Sequence, residues 1–263
     1  MEIEKLAYTD FISLIREENR PPGGKKTVRE WLLNSFSNKN SKVLEVGCTN
    51  GFIGLEVARI LKCKVWGIDI NPNEIKNAKN RIKKEKVKFS LGNAYYLPFK
   101  NNFFDLVICS NATSFINKKE KAIEEYSRVT KDWGFIAACP MYYIKNPPKK
   151  LVKEVFNEIN VPLNIITKKD WTNLFRNSFL EVYFSKDYKF KNKTDKEIRT
   201  YVSESLNKSH LKKLPKDVQD KIFYRWERTM KLFNNNLKYI GYSVILLRKR
   251  KEKEESELFD SIE

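Results

Sequence analysis

Glu45, Gly47, Gly51 and Asp69 are the residues of this 263-residue chain whose types and spacing point most directly to chemistry. Val43-Leu44-Glu45-Val46-Gly47-Cys48-Thr49-Asn50-Gly51-Phe52-Ile53-Gly54 reads as an apolar strand, a glycine-containing turn and a helix start. Val65-Trp66-Gly67-Ile68-Asp69-Ile70 reads as a second strand, ending in an acid 22 positions after Gly47. The turn lets backbone pass close to a ligand, and the acid can accept hydrogen bonds from ribose hydroxyls. Together they build a nucleoside pocket. A dinucleotide turn, G-x-G-x-x-G, would need glycine at 49 and 52, where the chain has Thr49 and Phe52. The phosphate-cradling version therefore fails, and a carboxylate near the turn would repel a pyrophosphate.

The run around Glu45 resembles motif I of the class I S-adenosylmethionine-dependent methyltransferases, E/D-x-G-x-G-x-G. Glu45, Gly47 and Gly51 match it, and Thr49 stands at the middle glycine. The resemblance implies a cofactor with an amino group and a sulfonium, both positive, which a carboxylate complements. Further segments fit in order. Gly92-Asn93-Ala94 resembles the family's G-D-A loop, whose acid holds the adenine amino group; the Asn93 oxygen could accept from the same group without a charge. Leu97-Pro98-Phe99 followed by Phe104-Asp105-Leu106-Val107 resembles its L-P-F and F-D-L-V segment. Arg128 to Gly134 resembles its R-V-L-K-P-G-G turn, with Asp132 and Trp133 as departures. The cofactor-binding residues so implied are Glu45, Gly47, Cys48, Thr49, Gly51, Asp69, Ile70, Asn93, Ala94, Ser110 and Asn111. No catalytic base is identified. The cysteines lack C-x-x-C spacing, and no metal site is expected.

The resemblance implies an α/β fold to position these residues: a doubly wound, mostly parallel seven-stranded sheet with helices on both faces. Strands are expected at 43–47, 65–70, 87–91, 103–109, 135–143, 180–184 and 237–247, the last antiparallel by family resemblance. Apolar spacing predicts helices over 119–129, 149–160 and 167–175. Residues 1–40 form an N-terminal segment. Its helix around Phe11-Ile12 ends at Arg20-Pro21-Pro22-Gly23-Gly24, a bend with hinge potential. That segment, with Tyr8, reads equally as a lid over the ligand or as cover for the sheet edge. Residues 191–236 read as a helical insertion between the last two strands, with an apolar stripe through Val218, Ile222, Phe223, Trp226, Met230 and Phe233. The core is then 41–190 with 237–250, and 251–263 is a charged tail.

The chain is 41% apolar and 32% charged, with net charge +18. It has no apolar run long enough to span a membrane, and its mixed N-terminus does not read as a signal peptide. Cys48, Cys63, Cys109 and Cys139 read as small core residues in a reducing cytoplasm. Abundant Lys and Glu give a thermophile-like composition. The basic excess suits either a solvated surface or a phosphate-bearing partner. Over 190–236 bases outnumber acids 12 to 6, which favours an anionic substrate under the cap. Tyr142, Tyr143 and His210 read as substrate-orienting or structural residues.

The leading reading is methyl transfer from S-adenosylmethionine to a small molecule, by alignment and proximity. An RNA methyltransferase and a non-catalytic cofactor-binding protein are the alternatives.

Overall fold

The computed structural model describes residues 2–18, 20–160, 167–176 and 180–251. Helices α1 (Tyr8–Ile15) and α2 (Lys25–Asn34) precede β1 (Lys42–Val46). Then come α3 (Phe52–Leu61), β2 (Lys64–Asp69), α4 (Pro72–Asn80) and β3 (Val87–Leu91). The chain continues through β4 (Phe104–Ser110), α5 (Lys119–Val129), β5 (Thr130–Ala138), β6 (Met141–Tyr143), α6 (Lys149–Ile159) and α7 (Lys168–Arg176). It closes with β7 (Leu180–Lys189), α8 (Asp195–Leu206), α9 (Ser209–Lys212), α10 (Lys216–Leu237) and β8 (Ile240–Lys249).

The strands make one sheet in the order β3-β2-β1-β4-β5-β8, with β6 and β7 also paired to β8. From β3 to β5 the pairing is parallel; β8 runs antiparallel to β5, β6 and β7. The strand order reverses between β1 and β4, and open α/β sheets bind ligands at that switch point. Val43, Leu44, Leu106, Val107 and Ile108 are wholly buried, as continuous apolar runs in a two-sided parallel sheet should be. One core layer includes Leu44, Tyr126 and Ile136, the other Val43, Trp31 and Leu106.

Local chemistry sets the helix starts. Asn71 caps α4, its Oδ1 accepting from the Asn73 and Glu74 N–H groups, with Pro72 in the first turn. Thr194 and Glu197 form a reciprocal capping box at α8, worth about 1 kcal/mol.

Several boundaries differ from the sequence reading. The fifth strand begins at Thr130, not 135, directly after α5, with Trp133 in the left-handed region at φ 64°. It ends at Ala138, not Tyr143, because Pro140 has no N–H to give the ladder. β6 resumes along the same edge of β8, so eight strands occupy seven positions across the sheet. The last strand begins at Ile240 rather than 237, since α10 runs through Leu237. The sixth strand is longer than expected, reaching Lys189 on its pairing with β8. The tail beyond Lys251 lies outside the described residues. No helix among the described residues is long and apolar enough to cross a membrane.

The N-terminal segment and the insertion share a hydrophobic cluster. Ile3, Phe11, Ile12 and Ile15 pack with Ile198, Val202, Leu211, Ile222 and Trp226. Cations of the insertion then satisfy carbonyls of the segment. Arg225 donates to Ile3 O, and to Leu6 O at 2.9 Å. Its guanidinium also sits 4.4 Å from the Phe11 ring centroid. Lys208 donates to Ile15 O and Arg16 O at 2.7 and 2.8 Å, covering carbonyls that the end of α1 leaves without helical partners. His210 donates from Nε2 to Leu14 O at 3.0 Å. Its role is therefore structural, and it does not line the substrate-sized cavity described below.

Candidate active site

The turn after β1 is held from both sides. The Gly47 and Cys48 N–H groups each donate to Ile68 O at 2.9 Å, and Gly51 N–H donates to Cys48 O at 2.7 Å. Gly47 has φ 71°, and a Cβ there would lie 2.5 Å from the Ala112 Cβ. Only glycine allows the turns after β1 and β4 to approach this closely. Gly51 has φ 79°, with the Phe89 ring where a Cβ would go. Thr49 adopts φ 43° at the place of the family's middle glycine, so the left-handed turn is kept at a cost of about 1 kcal/mol.

Asp69, at the end of β2, organises this turn. Its Oδ2 accepts from Thr49 N–H at 2.8 Å, and its Oδ1 from Asn71 N–H at 2.9 Å. Burial pushes its carboxyl above the usual range, and these N–H groups with that of Ile70 pull it back. Each oxygen has a further lone pair for a donor from outside. Beside it, Ile70 is 71% exposed and offers a flat apolar surface. The loop after β3 brings up Asn93 and Ala94, both half-buried. Asn93 Oδ1 accepts from Tyr95 N–H at 2.9 Å. At the end of β4, Ser110 takes φ 45° and turns the chain outward. Asn111 Oδ1 accepts from Ser114 Oγ at 2.6 Å, and its Nδ2 reaches Met141 Sδ at 3.4 Å.

Two residues of the expected set serve the protein's own interior. Glu45 is only 2% exposed, and its Oε2 accepts from Gly54 N–H at 2.8 Å. The carboxyl is turned into the first turn of α3, whose N–H groups lack helical partners. Burial pushes it up to about 8, with the Asp69 charge adding to the rise and the Gly54 and Ile53 N–H groups opposing it. It is therefore not the open carboxylate that motif matching implies. The Cys48 side chain is wholly buried among Leu55, Ile75, Ala78 and Phe89, and its N–H is taken by Ile68. Its apolar surroundings explain its place better than a ligand does.

Sequence reasoning missed a third acid and the network around it. Glu74 is 4% exposed, and burial together with Asp69 pushes it up to about 7. Asn50, 1% exposed, donates to Glu17 O and accepts from Arg81, which also pairs with Glu18 at 3.4 Å. Asn77 of α4 donates to Ser13 O at 3.1 Å. The N-terminal segment is thereby tied to the glycine turn and to α4 on one side and to the cap on the other. Polar residues scattered over 13–81 carry no periodic signal, so this strap was not legible.

Next to Asn111 lies a cavity of about 820 Å³. Met141, Tyr142 and Trp171 wall it from the core, and Tyr8, Ile198 and Phe233 from the segment and the cap. The stripe residues Met230 and Phe233 face this space rather than serving only to pack. The basic excess of the insertion does not reach it. Among the described residues the charged ones lining it are Lys193, Lys196, Glu197 and Glu204, two of each sign, so the lining gives no support for an anionic substrate.

A family model for a methyltransferase domain matches residues 37–178. An uncharacterized protein of Haemophilus influenzae is 30% identical over 176 residues, covering 64% of this chain and 70% of that protein. Norajmaline N-methyltransferase of Rauvolfia serpentina is 36% identical over 97 residues; the match spans 35% of this chain and only 33% of the plant enzyme. Among solved structures, the MccD protein aligns with TM-score 0.75 at 24% identity, covering 88% of this chain and 100% of that one. Phosphoethanolamine N-methyltransferase 2 of Haemonchus contortus, in complex with S-adenosyl-L-methionine, aligns with TM-score 0.69 at 14% identity, covering 94% of this chain and 60% of that one. With more than half its length matched by the domain and its fold shared with these structures, this chain belongs to the S-adenosylmethionine-dependent class I methyltransferases.

Proposed function

We propose that this protein transfers a methyl group from S-adenosylmethionine to a small, largely apolar molecule enclosed beneath its cap. The observation that carries the reading is the cavity of about 820 Å³ opening beside Asn111, at the end of β4, where the next residue, Ala112, packs on Gly47. Small-molecule sites are concave and mostly apolar, with few polar groups. S-adenosylmethionine would supply a methyl group on a positively charged sulfur, an excellent leaving group.

The residues present fit that cofactor. Asp69 has lone pairs free toward the ribose, and Ile70 and Asn93 flank the position of the adenine. Gly47 and Gly51 keep the turn tight against Ala112 and Phe89, so that its backbone can pass close to the ligand. Thr49, Ala94, Ser110 and Asn111 border the rest, with Asn111 between the cofactor crevice and the substrate cavity. Glu45 acts from beneath the turn. The protein aligns donor and acceptor and excludes water, which suffices for large rate effects when the leaving group is already activated. The product left in the crevice would be S-adenosylhomocysteine.

Residues 1–40 serve as the lid and 191–236 as the cap over a core of 41–190 and 237–250. The ties from Arg225, Lys208 and Asn50 support that division, because they make the segment bridge cap and crevice. The segment must part from one side to admit ligands.

Incubation with methyl-labelled cofactor and cell extract tests the reading. Label is expected in the small-metabolite fraction. Label in RNA, with binding that falls steeply as salt rises, would favour an RNA methyltransferase instead. Label in no fraction, with cofactor still bound, would favour a non-catalytic protein.

A further inference from the structure

We infer that the methyl acceptor is the nitrogen of an amine carried on an apolar or aromatic scaffold, held against the aromatic wall of the cavity. The inference rests on the functional reading above and narrows it to a substrate class.

Rim and depth of the cavity differ in chemistry. All four charged lining residues are exposed at the rim on or just before α8, where Lys193 pairs with Glu197 at 2.8 Å. The depth is formed by buried groups such as Tyr142, Val155, Ile159, Trp171 and Ile240. Its polar members are neutral: Asn111, Asn236 and Tyr143, whose hydroxyl donates to Asn236 Oδ1 at 3.3 Å. Among the described lining residues, none in the depth is Lys, Arg, His, Asp or Glu.

That composition selects among acceptors. A hydroxyl must shed its proton to attack, and a carbon acceptor must shed one afterwards; both call for a base. The tyrosines do not supply one: burial raises Tyr8, Tyr142 and Tyr143 and keeps them as phenols, and Asp187, which Tyr142 reaches through Ser243 at 2.8 and 2.7 Å, is paired with Lys168 at 2.6 Å and held low despite burial, which leaves it a weak base. A thiolate or carboxylate arrives as an anion, and no cation in the depth offsets its desolvation. An amine becomes reactive when its ammonium gives one proton to water, a loss near the lysine pKa of about 10.4 and far easier than that of an alcohol, and the neutral amine then needs no counter-charge. Its lone pair forms the new N–C bond while the methyl C–S bond breaks, with that electron pair staying on sulfur. Positive charge passes from sulfur to nitrogen, and the surplus proton on nitrogen leaves to water.

The walls suit the cation at each end of that process. Tyr8 and Phe233 meet edge to face with ring centroids 5.7 Å apart. Ring faces attract an ammonium group.

The test compares congeners in calorimetric titrations of the full chain saturated with S-adenosylhomocysteine. The probes are 1-naphthylmethylamine, 1-naphthalenemethanol and 1-naphthoate, with the corresponding biphenyl series as a second scaffold. The amines are expected to bind at least about 5-fold tighter than the alcohols, with the carboxylates weakest. Phe233→Leu is expected to shrink the amine-over-alcohol margin without removing alcohol binding. Alcohols or carboxylates binding as tightly as the amines would overturn the inference and leave the cavity reading standing. A margin unchanged in Phe233→Leu would also overturn it, and binding of no probe would overturn both. The wild-type comparison needs no variant, so a misfolded Phe233→Leu cannot rescue the idea.

Discussion

Asp69→Ala is expected to weaken S-adenosylmethionine binding at least about 100-fold, a loss of ~3 kcal/mol, in calorimetric titration. The size follows from the number of donors the carboxylate serves. It accepts Thr49 N–H at 2.8 Å and Asn71 N–H at 2.9 Å, and in the proposed site it also accepts the ribose hydroxyls. Alanine strips the ligand of its acceptor and releases two backbone groups that shape the turn. Asp69→Asn keeps one carbonyl oxygen for one of these donors and should lose less, about 10-fold. A normal far-ultraviolet dichroism spectrum for both variants separates site loss from unfolding. Unchanged affinity in Asp69→Ala would remove this residue from the site.

Glu45 carries the second large effect, and its sign is opposite to that of an ordinary surface acid. Its carboxyl is raised from 4.5 to about 8 in the folded protein, chiefly by burial. Between those values the folded state holds a proton that the unfolded chain has released. Stability contributed by this group is therefore full below about 4.5 and is lost as pH rises through about 8. Glu45→Gln keeps an oxygen for Gly54 N–H and removes the titration. The unliganded variant should be more stable than the parent at pH above about 8, by at least ~1 kcal/mol or about 3 °C in Tm. Glu74, raised to about 7, keeps a smaller pH slope in the variant. Ligand binding should move the other way. A cationic ligand over the turn favours the ionised carboxyl, so the parent should release protons on binding S-adenosylmethionine, and Glu45→Gln should bind it more weakly. Thermal denaturation across pH and titration in two buffers of different ionisation enthalpy check both parts. A variant no more stable than the parent at high pH would show that the buried carboxyl is not under strain.

Much of the parallel sheet was legible because β1, β2, β3 and β5 are apolar-rich runs closed by Gly47, Asp69, Gly92 and Pro140. The turn was legible because Gly47 and Gly51 must take positive φ, a demand that shows in residue type. The fifth strand was misdrawn at both ends, since pairing of Thr130 with Phe104 of β4 sets its start and Pro140 interrupts it without ending the edge along β8. Glu45 was located but misread. Residue type shows an acid at the turn, yet only coordinates show its oxygen meeting the Gly54 N–H nine residues on. The cavity's neutrality was hidden for a similar reason. Counting bases over 190–236 gives the charge of the helices, whereas the cavity sees only the faces turned inward. The strap through Asn50, Asn77 and Arg81 depends on contacts between distant segments of the chain, which no local pattern encodes.

The central claim is that the crevice between the glycine turn and Asp69 accepts a cationic, phosphate-free adenosine compound. Titration of the unmodified protein with S-adenosylmethionine, S-adenosylhomocysteine and NADH, at low and high salt, tests it most directly. The account predicts one site per chain for the first two, little change with salt, and no heat with the dinucleotide. Binding of NADH in their place, or of none of the three, would contradict it.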